Sequence, residues 1–249
     1  MSFRDLFSER ASLYAAYRPL YPREMFEYLA SLAPRRVLAW DCATGNGQAA
    51  TGLAKFFERV IATDASSSQI ACAVPAPGVE YAISTAYESG IPDASTDLIT
   101  VAQAAHWFDL DEFYREARRV LKAGGAIAIW GYGDPVIDDP AANEIVRRYN
   151  RGTLESYWHP ERWIVLDGYK SISFPFEEIA PPNFTLESSW SLPELCGYLR
   201  TWSATARYAS EHGSDPVIAV EEQLREVWGE PSFRRSVRWP LSLRAGHGD

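Results

Sequence analysis

Between residues 34 and 134, short apolar runs alternate with stretches whose apolar positions recur at helical spacing. Val37-Leu-Ala-Trp40 is an unbroken apolar run, as a strand buried on both faces requires. A glycine-rich turn follows it, then a helical stretch from about Asn46 to Glu58. Arg59-Val-Ile-Ala-Thr-Asp64 reads as a second strand, and Ser66 stands where a hydroxyl caps the helix after it. Val79–Ile83 and Asp97–Ala102 read as the third and fourth strands. Leu110–Leu121 places Phe113, Ala117 and Val120 on one helical face, and Lys122-Ala-Gly-Gly125 stops that helix before a fifth strand, Ala126–Trp130. Strands separated by helices of this length predict an α/β fold with a doubly wound, parallel sheet and right-handed crossovers.

After Asp134 the texture changes. Helical pieces rich in Trp, Tyr and Arg (about Ala141–Arg151, Leu192–Ala206 and Val217–Trp228) are interleaved with possible strands near Phe184–Trp190 and Val237–Leu243. No linker composition separates the halves and no internal repeat appears. The expectation is one domain over residues 1–249: an N-terminal covering segment at 1–33, a sheet core at 34–134, and a helical lid with the last strands at 135–249.

Composition narrows the function classes. The 249 residues carry a net charge of −9, so there is no basic field to hold a phosphate backbone, and a nucleic-acid partner is not expected. No apolar run approaches the roughly 18 residues that span a bilayer, and the start has no basic-then-apolar leader, so a cytoplasmic protein without a membrane partner is expected. Three widely spaced cysteines make neither a disulfide framework nor a metal knuckle, and no metal is expected. Aromatic residues reach 13%, and seven of the nine tryptophans lie after residue 125.

The densest chemistry is Asp41-Cys-Ala-Thr-Gly45-Asn-Gly47-Gln48, between a strand and a helix. Ligands of open α/β sheets bind at the carboxyl ends of strands, where glycines admit a close ligand and the next helix offers free N–H groups. Asp64 ends the next strand, 19 residues after Gly45, where a carboxylate can hold two ribose hydroxyls. The plainer reading is a tight βα turn with a helix-terminus charge. Gly45-x-Gly47-x-x-Ala50 with Asp64 also fits the dinucleotide fingerprint. Asp41 discriminates: a carboxylate is unhelpful beside a pyrophosphate but suits a ligand with an ammonium and a sulfonium. That points to S-adenosylmethionine, with a nicotinamide-dependent oxidoreductase and a non-catalytic nucleoside-binding protein as rivals.

Asp41-x-Ala43-x-Gly45-x-Gly47, Asp64, Pro92-Asp93-(x)3-Asp97-Leu98 and Ala105-His-Trp-Phe-Asp109 together resemble class I S-adenosylmethionine-dependent methyltransferases of the type 11 group. Tyr14-(x)3-Arg18-Pro19-x-Tyr21-Pro22, Ala105-His-Trp-Phe108 and Ile127-Ala-Ile-Trp-Gly-Tyr132 bring the resemblance nearest to the branch that includes trans-aconitate methyltransferases. The resemblance implies a Rossmann-like, mostly parallel seven-stranded sheet and S-adenosylmethionine as cofactor, released as S-adenosylhomocysteine. It implies that Asp41, Ala43, Thr44, Gly45, Gly47 and Gln48 face the methionine moiety. Asp64 and Ala65 would take the ribose, Ala86 and Tyr87 the adenine, and Gln103 and Ala104 the methionine end. Tyr14 and Arg18 would close over the site, Arg18 reaching the cofactor carboxylate. Two positions depart from the family. Ala43 replaces a glycine, tolerable if its φ stays negative, and Tyr87 stands where an acid is common.

His106 and Trp107 follow the fourth strand, near the transferable methyl, and are candidates for positioning the acceptor or, for His106, taking its proton; the plainer reading makes Trp107 and Phe108 core. His159, His212 and His247 read as exposed or structural. Of the second-half aromatics and arginines, most read as core and as solvated surface; Tyr132, Trp158, Arg162 and Arg207 are the candidates for the substrate pocket. Hydrolase, metalloprotease and phosphate-loop motifs are absent from the sequence. The expected acceptor is a small molecule, first a carboxylic acid with some apolar bulk, methylated on oxygen with help from Arg162 or Arg207; a phenol or quinone-like acceptor is the alternative. A monomer or weak homodimer is expected.

Overall fold

The computed structural model describes residues 17–248. Helix α1 (Arg23–Leu32) buries Met25, Phe26, Leu29 and Ala30, a single stripe at helical spacing. It leads into β1 (Leu38–Cys42), α2 (Gln48–Leu53), β2 (Arg59–Asp64), α3 (Ser67–Ala71), β3 (Val79–Ile83) and β4 (Thr96–Ala102). Next come α4 (Leu110–Val120), β5 (Leu121–Tyr132), β6 (Val136–Ile137), α5 (Pro140–Arg148), α6 (Arg162–Leu166), β7 (Glu177–Ile179) and β8 (Phe184–Trp190). Helices α7 (Leu192–Arg200), α8 (Ser203–His212) and α9 (Val217–Trp228) precede the long last strand, β9 (Arg235–His247).

Strands β3-β2-β1-β4-β5 run parallel in that order, and β9 joins β5 antiparallel. The nine described strands occupy seven positions across the sheet. Along one edge of β9 lie β5 and then β6; along the other lie β8 and then β7. The expected seven-stranded, mostly parallel sheet is therefore met, with two positions split between short collinear strands. The order reverses between β1 and β4, which opens the crevice where α/β sheets hold ligands.

Side chains of the central strands alternate between two apolar layers. Leu98, Ala126, Ala128 and Trp130 face α1 and α2, while Ile99, Val101, Ile127 and Ile129 face α4. Both faces are covered, which is why these strands read as continuous apolar runs. Gly52 is required by close packing: a Cβ there would fall 2.2 Å from the Phe26 ring. Trp190, Tyr198, Trp228 and Trp239 build a third core, between β8 and β9 and the helices that follow β5.

Several boundaries differ from the sequence expectation. The helix expected over Asn46–Glu58 ends at Leu53, because the chain must turn to let Glu58 and Arg59 donate to the carbonyls of Arg36 and Val37. Helix α4 ends at Val120, one residue before the expected Leu121, and β5 opens at Leu121 and not at Ala126, because Leu121 already pairs with Thr96 in the sheet. The stretch Leu192–Ala206 is broken at Thr201–Trp202. Trp202 is extended there and stacks on Tyr149, 5.9 Å between ring centres.

Glu116 ties the loop after β3 to α4. It accepts from Arg119 Nη2 at 2.7 Å, Ser89 Oγ at 2.6 Å and the Ser89 N–H at 2.8 Å. Arg119 first, and Ser89 second, hold its carboxyl down to about 2. A depressed carboxyl stabilises the fold above its unfolded value and loses that effect as pH falls through its folded value. Glu116→Gln is expected to lower stability by about 2 kcal/mol at pH 7, an effect that shrinks from about pH 4.5 downward. Urea denaturation of both proteins at several pH values checks this, and a penalty independent of pH would mean that only packing was lost.

Candidate active site

A cleft of about 1410 Å³ opens along the carboxyl ends of β1, β2, β4 and β5. The turn after β1 forms its floor. Asp64, only 9% exposed, accepts the Gly45 N–H on one oxygen and the Ser66 N–H on the other, each at 2.9 Å. Gly47 sits at φ +89°, and a Cβ on it would overlap the Tyr81 hydroxyl at 2.1 Å. The Ser66 hydroxyl caps α3, as expected, accepting from the Gln69 N–H at 3.3 Å.

Most of the expected cofactor residues line this cleft: Arg18, Ala43, Thr44, Gly45, Gly47, Gln48, Asp64, Ala65, Ala86, Tyr87, Gln103 and Ala104. Asp41 does not. It is fully buried beneath the turn, accepting from the Thr44 hydroxyl at 2.5 Å and the Thr100 hydroxyl at 2.8 Å. Burial pushes its carboxyl up to about 6, the Thr44 and Thr100 hydroxyls oppose the shift, and the charge of Asp64 adds to it. Asp41 thus supports the turn from below. Tyr14 lies outside the described residues.

The N-terminal segment reaches over the turn through Gln48, whose amide donates to the Pro19 carbonyl at 2.9 Å. Arg18 then extends to the end of β5 and donates to the Tyr132 hydroxyl at 3.1 Å. Tyr87 is held by its hydroxyl, which accepts the Asp109 N–H at 2.9 Å.

Beyond the turn, His106, Trp107, Tyr132, Trp158 and Arg162 line the other end of the cleft. His106 Nδ1 lies 3.2 Å from the Tyr169 hydroxyl. Burial, reinforced by His159, pushes the imidazole down to about 4, so it is neutral at physiological pH. Arg162 is already engaged: it pairs with Asp134, reaches the Asn150 side-chain oxygen at 3.2 Å and lies 3.9 Å over the Trp158 ring. Arg207 is a correction. It is exposed, outside the cleft lining, and donates to the Tyr157 carbonyl at 3.0 Å. His159 is another correction: it lines the cleft, edge-on to Trp107 at 5.3 Å.

Of the other second-half aromatics, Trp202 lines the cleft, Tyr149 and Trp190 are core, and Trp163 is exposed. Tyr21, Asp134, Glu161 and Tyr198 line it although none of them was a candidate site residue. Asp134 follows a strand end, so the strand-end rule could have found it. Glu161 and His159 come from an irregular segment with no sequence signal.

Strain marks this region. Ala43, Gln103 and Tyr169 all have positive φ, at 55°, 56° and 61°. The condition under which Ala43 would be harmless, a negative φ, is not met. Left-handed backbone costs a residue with a Cβ about 1–2 kcal/mol, and glycine recovers part of that against its greater unfolded freedom. Ala43→Gly is therefore expected to stabilise the protein by about 0.5–1 kcal/mol, roughly 1–4 °C in Tm. Differential scanning calorimetry checks it, and a lower Tm would mean that the methyl's packing outweighs the strain.

The residues fit a nucleoside ligand with a positive centre. The glycine turn leaves room at a helix start, Asp64 stands at the strand end beside it, and two acids lie within one desolvated corner. Residues 40–129 match the family described as a methyltransferase domain. A Dictyostelium discoideum protein described as a methyltransferase is 35% identical over 229 residues, spanning 91% of this chain and 87% of its own. Methyltransferase pgmE of Aspergillus terreus is 28% identical over 304 residues, spanning 92% of this chain and 90% of its own. A solved structure from Anaeromyxobacter dehalogenans, described as a type II methyltransferase, superposes with a TM-score of 0.87 at 43% identity, covering 93% of this chain and 98% of that one. With that sheet, that turn and these relatives, the chain belongs to the class I methyltransferases, enzymes that take their methyl group from S-adenosylmethionine.

Proposed function

We propose that the enzyme methylates the hydroxyl oxygen of a small aromatic acceptor, with His106 as the base. The observation that carries this is the electrostatics of the acceptor end. The arginines expected to pair with a carboxylate are spoken for: Arg162 by Asp134, and Arg207 by its place outside the cleft. Trp107, Phe108, Trp158 and Trp202 instead wall a neutral, aromatic space around an uncharged imidazole. A phenol suits that space, and unlike a carboxylate it has a proton to lose. This reading takes the phenol alternative over the carboxylic acid.

S-adenosylmethionine, when bound, supplies an electrophilic methyl carbon attached to a sulfonium. Asp64 accepts from the ribose hydroxyls, and the glycine turn meets the methionine moiety. Tyr169 holds the His106 ring through Nδ1, which leaves Nε2 to face the acceptor hydroxyl. His106 Nε2 would take the hydroxyl proton as the acceptor oxygen bonds to the donor's methyl carbon, the donor leaving as a neutral thioether with the electron pair of the broken S–C bond. Aromatic walls exclude water and orient the ring, and orientation contributes much of the rate in a displacement at carbon.

Two outcomes follow from the proposed roles. Asp64→Ala is expected to weaken S-adenosylhomocysteine at least about tenfold without unfolding the protein, since hydrogen bonds to a charged group contribute about 1.5–3 kcal/mol. Calorimetric titration checks it, and unchanged affinity would reduce Asp64 to a support for the turn.

For His106 the sign comes from its lowered value. The base form persists down to about pH 4, so kcat/KM should hold its plateau at pH 5.5, where an ordinary histidine would already be charged. His106→Ala should cost about 10²–10⁴-fold in turnover and remove the acid limb. Turnover that survives in His106→Ala, with alkali-labile methyl esters as products, would return the carboxylic acid as acceptor.

A further inference from the structure

We propose that Glu161 reads a second hydrogen-bond donor on the acceptor, so that the enzyme selects aromatic rings carrying two hydroxyls over rings carrying one. This rests on the aromatic-hydroxyl reading above. Glu161 immediately precedes α6, and α6 packs against the Ala105–Trp107 turn. That packing puts Glu161 on the lining of the same cleft as His106, where the His159 ring lies edge-on to Trp107. The Oε2 atom of Glu161 is buried and has no hydrogen-bond partner. A buried carboxylate oxygen without a donor is costly, and the adjacent guanidinium does not supply one. Arg162, the next residue, turns its guanidinium to Asp134 and Asn150.

The surroundings decide what kind of donor would meet this oxygen. A carboxylate ligand would be repelled by Glu161. A cationic acceptor would stand beside the sulfonium that the same cleft has to hold, and like charges repel. A neutral O–H donor remains, and on an aromatic acceptor that is a second hydroxyl. The cleft of about 1410 Å³ exceeds the roughly 300–1,000 Å³ usual for one ligand, so a two-ring acceptor fits beside the cofactor.

The test compares dihydroxynaphthalene isomers with the matching naphthols, using labelled S-adenosylmethionine and the wild type, Glu161→Leu and Glu161→Gln. In the wild type, at least one diol is expected to exceed its naphthol at least about tenfold in kcat/KM, mostly through KM. In Glu161→Leu that ratio should fall to within about threefold of one while S-adenosylhomocysteine affinity is kept. Should Glu161→Leu not fold, Glu161→Gln, which keeps an acceptor oxygen without the charge, should lower the ratio at least about threefold. A wild-type ratio near one, an unchanged ratio in the variants, or an equal loss for both substrates overturns the role of Glu161 and leaves the aromatic-hydroxyl reading standing. No turnover of either substrate by the wild type removes that reading, and this proposal with it.

Discussion

Two acids end adjacent strands, and the glycine turn is hung between them. Strands β1 and β2 run in parallel register, Asp41 beside Ala62 and Cys42 beside Thr63, so the chain leaving β1 must pass the end of β2. Asp64 takes the Gly45 N–H there, and Asp41 takes the hydroxyls of Thr44 and Thr100 from below. The arrangement is electrostatically expensive, as the upward shift of Asp41 to about 6 shows. It persists because each carboxylate organises backbone that would otherwise be loose, and because a low-dielectric corner with two acids favours a ligand carrying positive charge. The left-handed backbone of Ala43 lies at the same strand end, while that of Gln103 is held to β5 by its N–H and side-chain amide, which donate to the Trp130 and Tyr132 carbonyls.

At the acceptor end the charges cancel in pairs. Asp134 receives both Arg151 and Arg162, which joins the end of the sheet to the irregular segment after α5 and removes two guanidinium groups from ligand binding. What remains accessible is mainly aromatic surface, a neutral imidazole braced by a strained and buried Tyr169, and the carboxylate of Glu161. The cleft therefore joins two unlike environments: an acidic floor at β1 and β2, and a mainly aromatic wall at β4 and β5. A reaction that starts from a sulfonium and ends with a neutral thioether spans just such a gradient.

The parts legible in the sequence are those that local rules govern. Short unbroken apolar runs located the parallel strands, and Val79–Ile83 and the antiparallel Phe184–Trp190 have the limits expected. Glycines beside a strand end, with an acid ending the next strand, marked the cofactor turn, because the turn's conformation and the ligand's charge both restrict which residues can stand there. Helix ends were less legible. Leu121 could continue a helix or open a strand, and only the free edge of β4 decides between them. Asp41 was placed beside the ligand by its position in the motif, yet its side chain turns under the loop because Thr100 of β4 offers it a hydroxyl.

By itself, then, the amino-acid sequence determined the α/β sheet, the glycine turn and the chemistry of the methyl donor, since these follow from contacts among residues close together in the chain or at adjacent strand ends. The tertiary structure alone decided the acceptor end. Whether Arg162 is a free cation depends on Asp134, 28 positions away, and whether His106 is neutral depends on burial by Tyr169 and on His159. Charge state and accessibility are properties of surroundings that distant segments assemble, and no local pattern of residues encodes them.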